Sequence, residues 1–142
     1  MVAPADQELI NGGAEYRRRF LDMGLSQVDR DFLQSLSQYV KAWKQRNAAL
    51  RQMGQNSQWH PDLLASYDHV MAASAPQILE GRQRLSDALT QYAARFYHEI
   101  SGGKEALGCR LVSDLQEMDM SAWLHKQKDA DRKAQRTTRG IH

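Results

Sequence analysis

One run of helical spacing limits what this chain can fold into. Between Asp29 and Gly54, Leu33, Leu36, Val40, Trp43, Asn47 and Leu50 follow one another at alternating steps of three and four. That alternation is the heptad seam of a helix packed along another helix. With Asp29 as N-cap and Gly54 and Asn56 as stop signals, it predicts a helix over 29–54, about 25 residues and roughly 37 Å long at 1.5 Å per residue. A second seam follows Gln58-Trp59-His60-Pro61, where Pro61 suits a first helical turn. It runs Leu64, Tyr67, Met71, Ala75, Ile78, Arg82, Leu85, Leu89, Tyr92, Phe96, and predicts a helix over 60–101, kinked or broken near Pro76 and ended by Ser101-Gly102-Gly103. Two such helices joined by a short polar loop make an antiparallel hairpin. Each seam carries one polar residue, Asn47 and Arg82. Either these are buried and fix the register, or they snorkel at the seam edge.

The flanks read differently. Residues 1–28 are a lead-in. Gly12-Gly13 mark a turn there, followed by a short helix with Tyr16, Phe20 and Leu21 on its apolar side. Residues 104–142 read as a mixed tail. Leu107, Cys109 and Leu111 alternate with Gly108 and Arg110, which predicts a strand over 107–115. Ser121 to Arg136 reads as a polar helix with little to bury beyond Trp123 and Leu124, and Thr137 to His142 as the start of a strand. The expected fold is a single mainly α domain: a coiled-coil-like hairpin of two long helices, short helices, and one or two short strands near the C-terminus.

Composition narrows the function classes. The 142 residues suffice for one core. Nineteen Lys and Arg against 17 Asp and Glu exclude a histone-like tail and an acidic disordered chain. Cys109 is the only cysteine, which excludes an intramolecular disulfide and a Cys-rich zinc site and fits a reducing compartment. The start, Met1 to Asp6, lacks the basic and apolar regions of a signal peptide, and no apolar run approaches the roughly 20 residues of a membrane helix. The expected location is the cytoplasm.

Catalytic patterns are missing. The sequence has no GxxxxGK[ST], HExxH, CxxC or GxSxG. The five histidines, His60, His69, His98, His125 and His142, show no metal-ligand spacing. No catalytic residue, metal site or bound cofactor is expected for this chain alone. Ile100-Ser101-Gly102-Gly103-Lys104 resembles the ABC ATPase signature, but that signature opens a helix toward a phosphate. Here the same letters close a long helix, where Gly at C′ caps the last carbonyls. Leu111-Val112-Ser113-Asp114 is too short and polar for a Walker B strand.

The basic residues carry more. No acid lies between Asp31 and Asp62, yet Lys41, Lys44, Arg46 and Arg51 do. Arg17, Arg18 and Arg19 form a triplet, and Lys126, Lys128, Arg132, Lys133, Arg136 and Arg139 crowd the tail. Such clusters neutralise phosphates; the plainer alternative is a solvated helix face. Sparse aromatic interleaving gives no signal of single-strand stacking.

Four motifs resemble the RecF family of bacterial DNA replication and repair proteins. Leu9-Ile10-Asn11-Gly12-Gly13-Ala14-Glu15-Tyr16-Arg17-Arg18-Arg19-Phe20-Leu21-Asp22 is similar to its Leu-[Ile/Val]-x-Gly-x-Pro-x-x-Arg-Arg-x-Phe-Leu-Asp motif. Lys44-Gln45-Arg46-Asn47-Ala48-Ala49-Leu50 resembles its KQRNALL helix, and Arg82 falls at its arginine in the second long helix. Asp131, Arg136, Thr137, Gly140 and His142 resemble its D…RT..GPHRDD segment. Ala14 and Ile141 stand where the family carries proline. The resemblance covers nearly the whole chain but only the family's middle: Walker A, the true signature and Walker B are not in these residues.

The resemblance implies a helical lobe of an ATP-dependent DNA-binding protein of recombinational repair. The whole family protein uses ATP and Mg and dimerises. It holds duplex or gapped DNA, and acts with RecO, RecR and its own ATPase head. It makes Arg17, Arg19, Lys41, Lys44 and Arg51 candidate DNA contacts. Arg18, Phe20, Asp22, Arg46, Asn47 and Arg82 become candidate structural residues, with Arg18 paired to a carboxylate such as Asp22. The competing expectation is a stand-alone helical interaction module that pairs with another protein or a second copy.

Overall fold

The computed structural model describes residues 4–56, 58–113, 115 and 119–141. It contains α1 (Pro4–Asn11), α2 (Ala14–Val28), α3 (Arg30–Asn56), α4 (Pro61–Ser101) and α5 (Met120–Ala134). The described residues contain no strand. They form two compact units, Met1–Arg30 with Leu79–Val112 and Asp31–Ile78 with Ser113–His142. The division falls just after Pro76, through which α4 runs unbroken. Proline costs the helix one hydrogen bond. Around it Met71, Ala75 and Ile78 are completely buried, and that packing holds the helix together.

In the unit formed by 31–78 and 113–142, α3 and the first half of α4 pair antiparallel. The Ser35 hydroxyl donates to Gln77 Oε1 at 2.7 Å, and Arg46 Nε donates to Asp68 Oδ1 at 2.6 Å, so α4 positions fall as α3 positions rise. The face that α3 buries is a heptad seam, but one residue out of phase with the expected one. Phe32, Ser35, Tyr39, Ala42, Arg46, Ala49 and Met53 are buried, whereas Leu33 is 46 % exposed and Leu36, Val40 and Trp43 are only half-buried. One residue is about 100° of rotation. The true seam was hard to read because small and polar residues hold four of its seven positions: Ser35, Ala42, Arg46 and Ala49. The two phases merge near the helix end, where Asn47 and Leu50 are also buried. There Ala49, Leu50, Met53 and Leu64 form a core flanked by Trp59 and Tyr67.

α5 adds Met120 and Leu124 to this unit. The Asp119 carboxylate caps its start, accepting from the Ser121 and Ala122 amides at 2.8 and 3.0 Å. Past its end, 137–141 does not begin a strand. Thr137 and Ile141 are buried, and side chains serve their backbone amides. His142 lies outside the described residues.

In the unit formed by 4–30 and 79–112, Gly12 and Gly13 separate α1 from α2. Leu21 and Leu25 are buried, but Tyr16 and Phe20 are 45 % and 43 % exposed, so the apolar side expected of this helix is covered only at Leu21. The second seam fades after Arg82: Leu85 and Leu89 are half-buried, and Tyr92 and Phe96 are exposed. α4 ends as a glycine-capped helix. Gly102 and Gly103 have φ of 63° and 74°, and the Gly103 amide donates to His98 O at 2.9 Å. No phosphate-facing helix starts here. The strand expected over 107–115 does not form at its described positions; 104–110 is exposed coil. Thr90 Oγ1 donates to Cys109 O at 3.1 Å, tying that coil to α4. Asp114 lies outside the described residues.

The phase of the α3 seam is testable. Ala42→Leu is expected to cost about 1–3 kcal/mol by overpacking. Leu33→Ala, on the exposed side, is expected to stay within about 0.5 kcal/mol. Urea denaturation of the two variants distinguishes the observed phase from the one-residue alternative.

Candidate nucleic-acid interface and its structural support

The basic residues of the motifs and of α3 fall into two groups, one locked into the fold and one presented to solvent. Arg46 leads the first. It is 1 % exposed, and an unpaired guanidinium so placed would be strongly destabilising. Its Nε donates to Asp68, and its Nη1 donates to Asp131 Oδ2 at 2.7 Å and to Thr137 Oγ1 at 2.9 Å. Asp131, itself 1 % exposed, uses its other oxygen to accept from the Thr138 amide and hydroxyl at 2.7 and 2.6 Å. Next to Arg46, Asn47 Oδ1 accepts from the Thr137 amide at 2.6 Å. Two helical turns back from that pair, the Tyr39 hydroxyl accepts from the Ile141 amide at 3.3 Å. Proline could not make that last bond, since it lacks an N–H. The Lys44-to-Leu50 motif and the Asp131-to-Gly140 motif therefore meet in one buried polar network.

Arg82 is the equivalent in the other unit. It is 4 % exposed and grips Asp22 with both edges of its fork, Nε to Oδ1 at 2.7 Å and Nη2 to Oδ2 at 2.8 Å. Asp22 is thus held by Arg82, not by Arg18. Arg18 is half-buried beside them; burial and the Arg82 guanidinium lower its pKa from the ordinary value, against the opposing pull of Glu15 and Asp22. Arg17 Nη1 donates to Gly12 O at 2.9 Å and Leu9 O at 3.4 Å, capping the end of α1. That engagement makes Arg17 a capping side chain in this fold. Phe20, assigned to the structural set, is largely exposed. Ala14 is the first residue of α2, the helical position where proline is also tolerated.

Lys41, Lys44 and Arg51 form the second group, and all are exposed. At about 100° per residue they lie on the side of α3 away from Ala42, Arg46, Ala49 and Met53. No carboxylate occurs on α3 after Asp31. The result is a basic stripe whose orientation is set by the buried seam behind it. Arg19 is exposed on α2, in the other unit. Two further cations are engaged with rings: Arg132 stacks 4.7 Å from the Trp59 ring centre and Lys126 lies 5.9 Å from that of Trp123. Among the described residues, no group of three His, Cys, Asp or Glu is placed to hold a metal, and no helix is long and apolar enough to cross a membrane.

No family model matches the chain. Its whole length is 34 % identical to a DNA replication and repair protein RecF of Parabacteroides distasonis and 32 % identical to that of Bacteroides thetaiotaomicron, covering 38 % of each. The fold agrees: 98 % of the chain superposes on 39 % of the recombination mediator protein RecF with ATP in the RecFOR pathway, with a TM-score of 0.82 and 26 % identity. Over its whole length the chain is similar to one part of a RecF protein. It spans less than half the length of the RecF proteins it matches. Within that RecF-like portion, each of the four sequence motifs supplies one residue to the two arginine–aspartate centres: Asp22, Arg46, Arg82 and Asp131.

Sequence reasoning found the residues of both centres but not their pairing. Asp68 was missed altogether; its signal was only an acid one helical face from Tyr67 and Met71. Asp131→Ala is expected to leave the buried Arg46 only half compensated, with Asp68 as its remaining carboxylate, and cost about 3–5 kcal/mol, read by urea denaturation. A double-mutant cycle with Arg46→Met is expected to recover a large part of that loss.

Proposed function

We propose that this RecF-like chain acts as the helical, DNA-facing lobe of an ATP-dependent DNA-binding protein of recombinational repair. The exposed basic stripe of Lys41, Lys44 and Arg51, backed by a buried seam that fixes its direction, is the observation that carries this reading. Arg17 and Arg19 add further exposed cations to the contact set, Arg17 while also donating to Gly12 O. Contacts of this kind attract the phosphate backbone and leave sequence unread. Duplex or gapped DNA is the proposed ligand, with RecO, RecR and an ATPase head as the proposed partners and the cytoplasm as the compartment. The 142 residues contain no GxxxxGK[ST] loop. We therefore infer that this chain alone neither binds nor hydrolyses ATP, and that ATP and Mg are handled by the rest of a RecF protein.

A second reading, an interaction module that self-associates, is favoured by one feature. Tyr92, Phe96 and Ile100 recur every fourth residue on α4, and Ile100 is 83 % exposed. An apolar stripe of that kind is a common meeting face. Light scattering across a concentration series tests it: a rising mass that Phe96→Glu abolishes is expected if this face pairs, and a constant monomer mass counts against it.

The leading reading predicts weak, salt-sensitive DNA binding. The triple variant Lys41→Glu, Lys44→Glu, Arg51→Glu is expected to flatten the plot of log K against log salt by up to about 0.9 per lost phosphate contact. Binding that ignores salt, or a triple variant that binds as the parent does, would sink it. In isothermal titration, measurable ATP affinity of the 142-residue chain would refute the nucleotide statement.

A further inference from the structure

The unit formed by 31–78 and 113–142 contains a cleft of about 480 Å³ that the DNA reading does not use. Two helices make its walls. On α4 it is lined by Ala65, His69 and Ala72, and on α5 by Ser121, His125 and Lys128, each set spaced at helical steps along one face. The gap exists because Ala65 and Ala72 are too short to fill it. Its floor is apolar: Leu50, Leu64 and Leu124 line it and are otherwise buried.

Lys128 is the one lining charge outside the Arg46–Asp68 ion pair. Asp68 is the only carboxylate in the lining, and it is already held by Arg46 at 2.6 Å. His69, His125 and Lys128 are all exposed at the cleft. A guest that matches this site carries carboxylates to meet the exposed nitrogens and one bulky apolar side chain to cover the leucines. A nucleic acid matches it poorly. A phosphodiester gains nothing from leucine, and Trp59, the one aromatic lining residue, already has Arg132 stacked on its ring.

We propose that the α4–α5 cleft docks a short acidic peptide segment of a partner protein, anchored by one large apolar side chain. A cleft this size lies in the range of ligand pockets, roughly 300–1,000 Å³. A buried apolar anchor with a charged rim is how compact docking sites gain both affinity and selectivity.

Fluorescence anisotropy with a labelled acidic hexapeptide carrying one central phenylalanine, added to the full 142-residue chain, tests this. Saturable binding is expected, weakened about tenfold when the phenylalanine is replaced by alanine, the loss typical of an anchor side chain. Ala72→Leu, which fills the cleft, and Lys128→Glu, which reverses its rim, are each expected to weaken it by a similar factor. Circular dichroism checks that the filled variant is folded; if it is not, the exposed Lys128→Glu and the peptide pair decide. The proposal is overturned by an absence of saturable binding, by equal affinity for the peptide without its phenylalanine, or by Lys128→Glu leaving affinity unchanged. It is equally overturned if Lys41→Glu with Lys44→Glu matches the loss from Lys128→Glu, or if a single-stranded oligonucleotide displaces the peptide at equal concentration.

Discussion

A charged guanidinium at the centre of a helical seam organises the unit of α3, α5 and the first half of α4. Arg46 sits where a heptad would place leucine, and every hydrogen bond it makes recruits a different part of the chain: Asp68 from α4, Asp131 from α5 and Thr137 from the segment beyond. Burying a charge costs several kcal/mol unless it is paired and fully hydrogen-bonded. That cost is why the network is selective. A slipped register of α3 against α4 would leave Arg46 facing apolar groups, so the compensated arrangement is strongly preferred over its neighbours. Hydrophobic burial alone, with alanines and serines along the seam, would discriminate far less.

The same logic explains how 137–141 keeps its course without strand pairing. Buried backbone amides must find acceptors. Here they find Asn47, Asp131 and Tyr39, three side chains projecting from helices. A sheet satisfies any sequence through its ladder, whereas this segment is held by particular side chains. Isoleucine at 141 fits the device, because it supplies the donor that the family's proline lacks.

The fold class was legible in the sequence because three-four spacing survives substitution by any apolar residue. The phase of the α3 seam was not, since apolar type marked Leu33, Val40 and Trp43 while close packing had selected Ala42, Arg46 and Ala49. The strand expected over 107–115 rested on a two-residue alternation of Leu107, Cys109 and Leu111, but alternation only implies a strand when a partner edge is present, and the described residues supply none. Arg46, Asp131, Arg82 and Asp22 were visible as motif residues; their pairing was not, because pairing across 85 positions, as between Arg46 and Asp131, leaves no local trace. The exposed stripe was legible from charge alone, since an acid-free basic run on a helix has few places to go but outward.

That long separation carries a kinetic meaning. The contacts of Arg46 with Asp131 and Thr137, and of Tyr39 with Ile141, close loops of 85, 91 and 102 positions. Loops of that length close late and slowly compared with the local turns of a helix. During synthesis α3 emerges well before the groups that neutralise its central charge. Until residues 131 to 141 have left the ribosome, Arg46 has Asp68 alone of its partners and the α3–α4 pair lacks its full closure. Tight closure of this unit therefore waits for residues 131 to 141, and until they arrive the α3–α4 seam stays open to other binders.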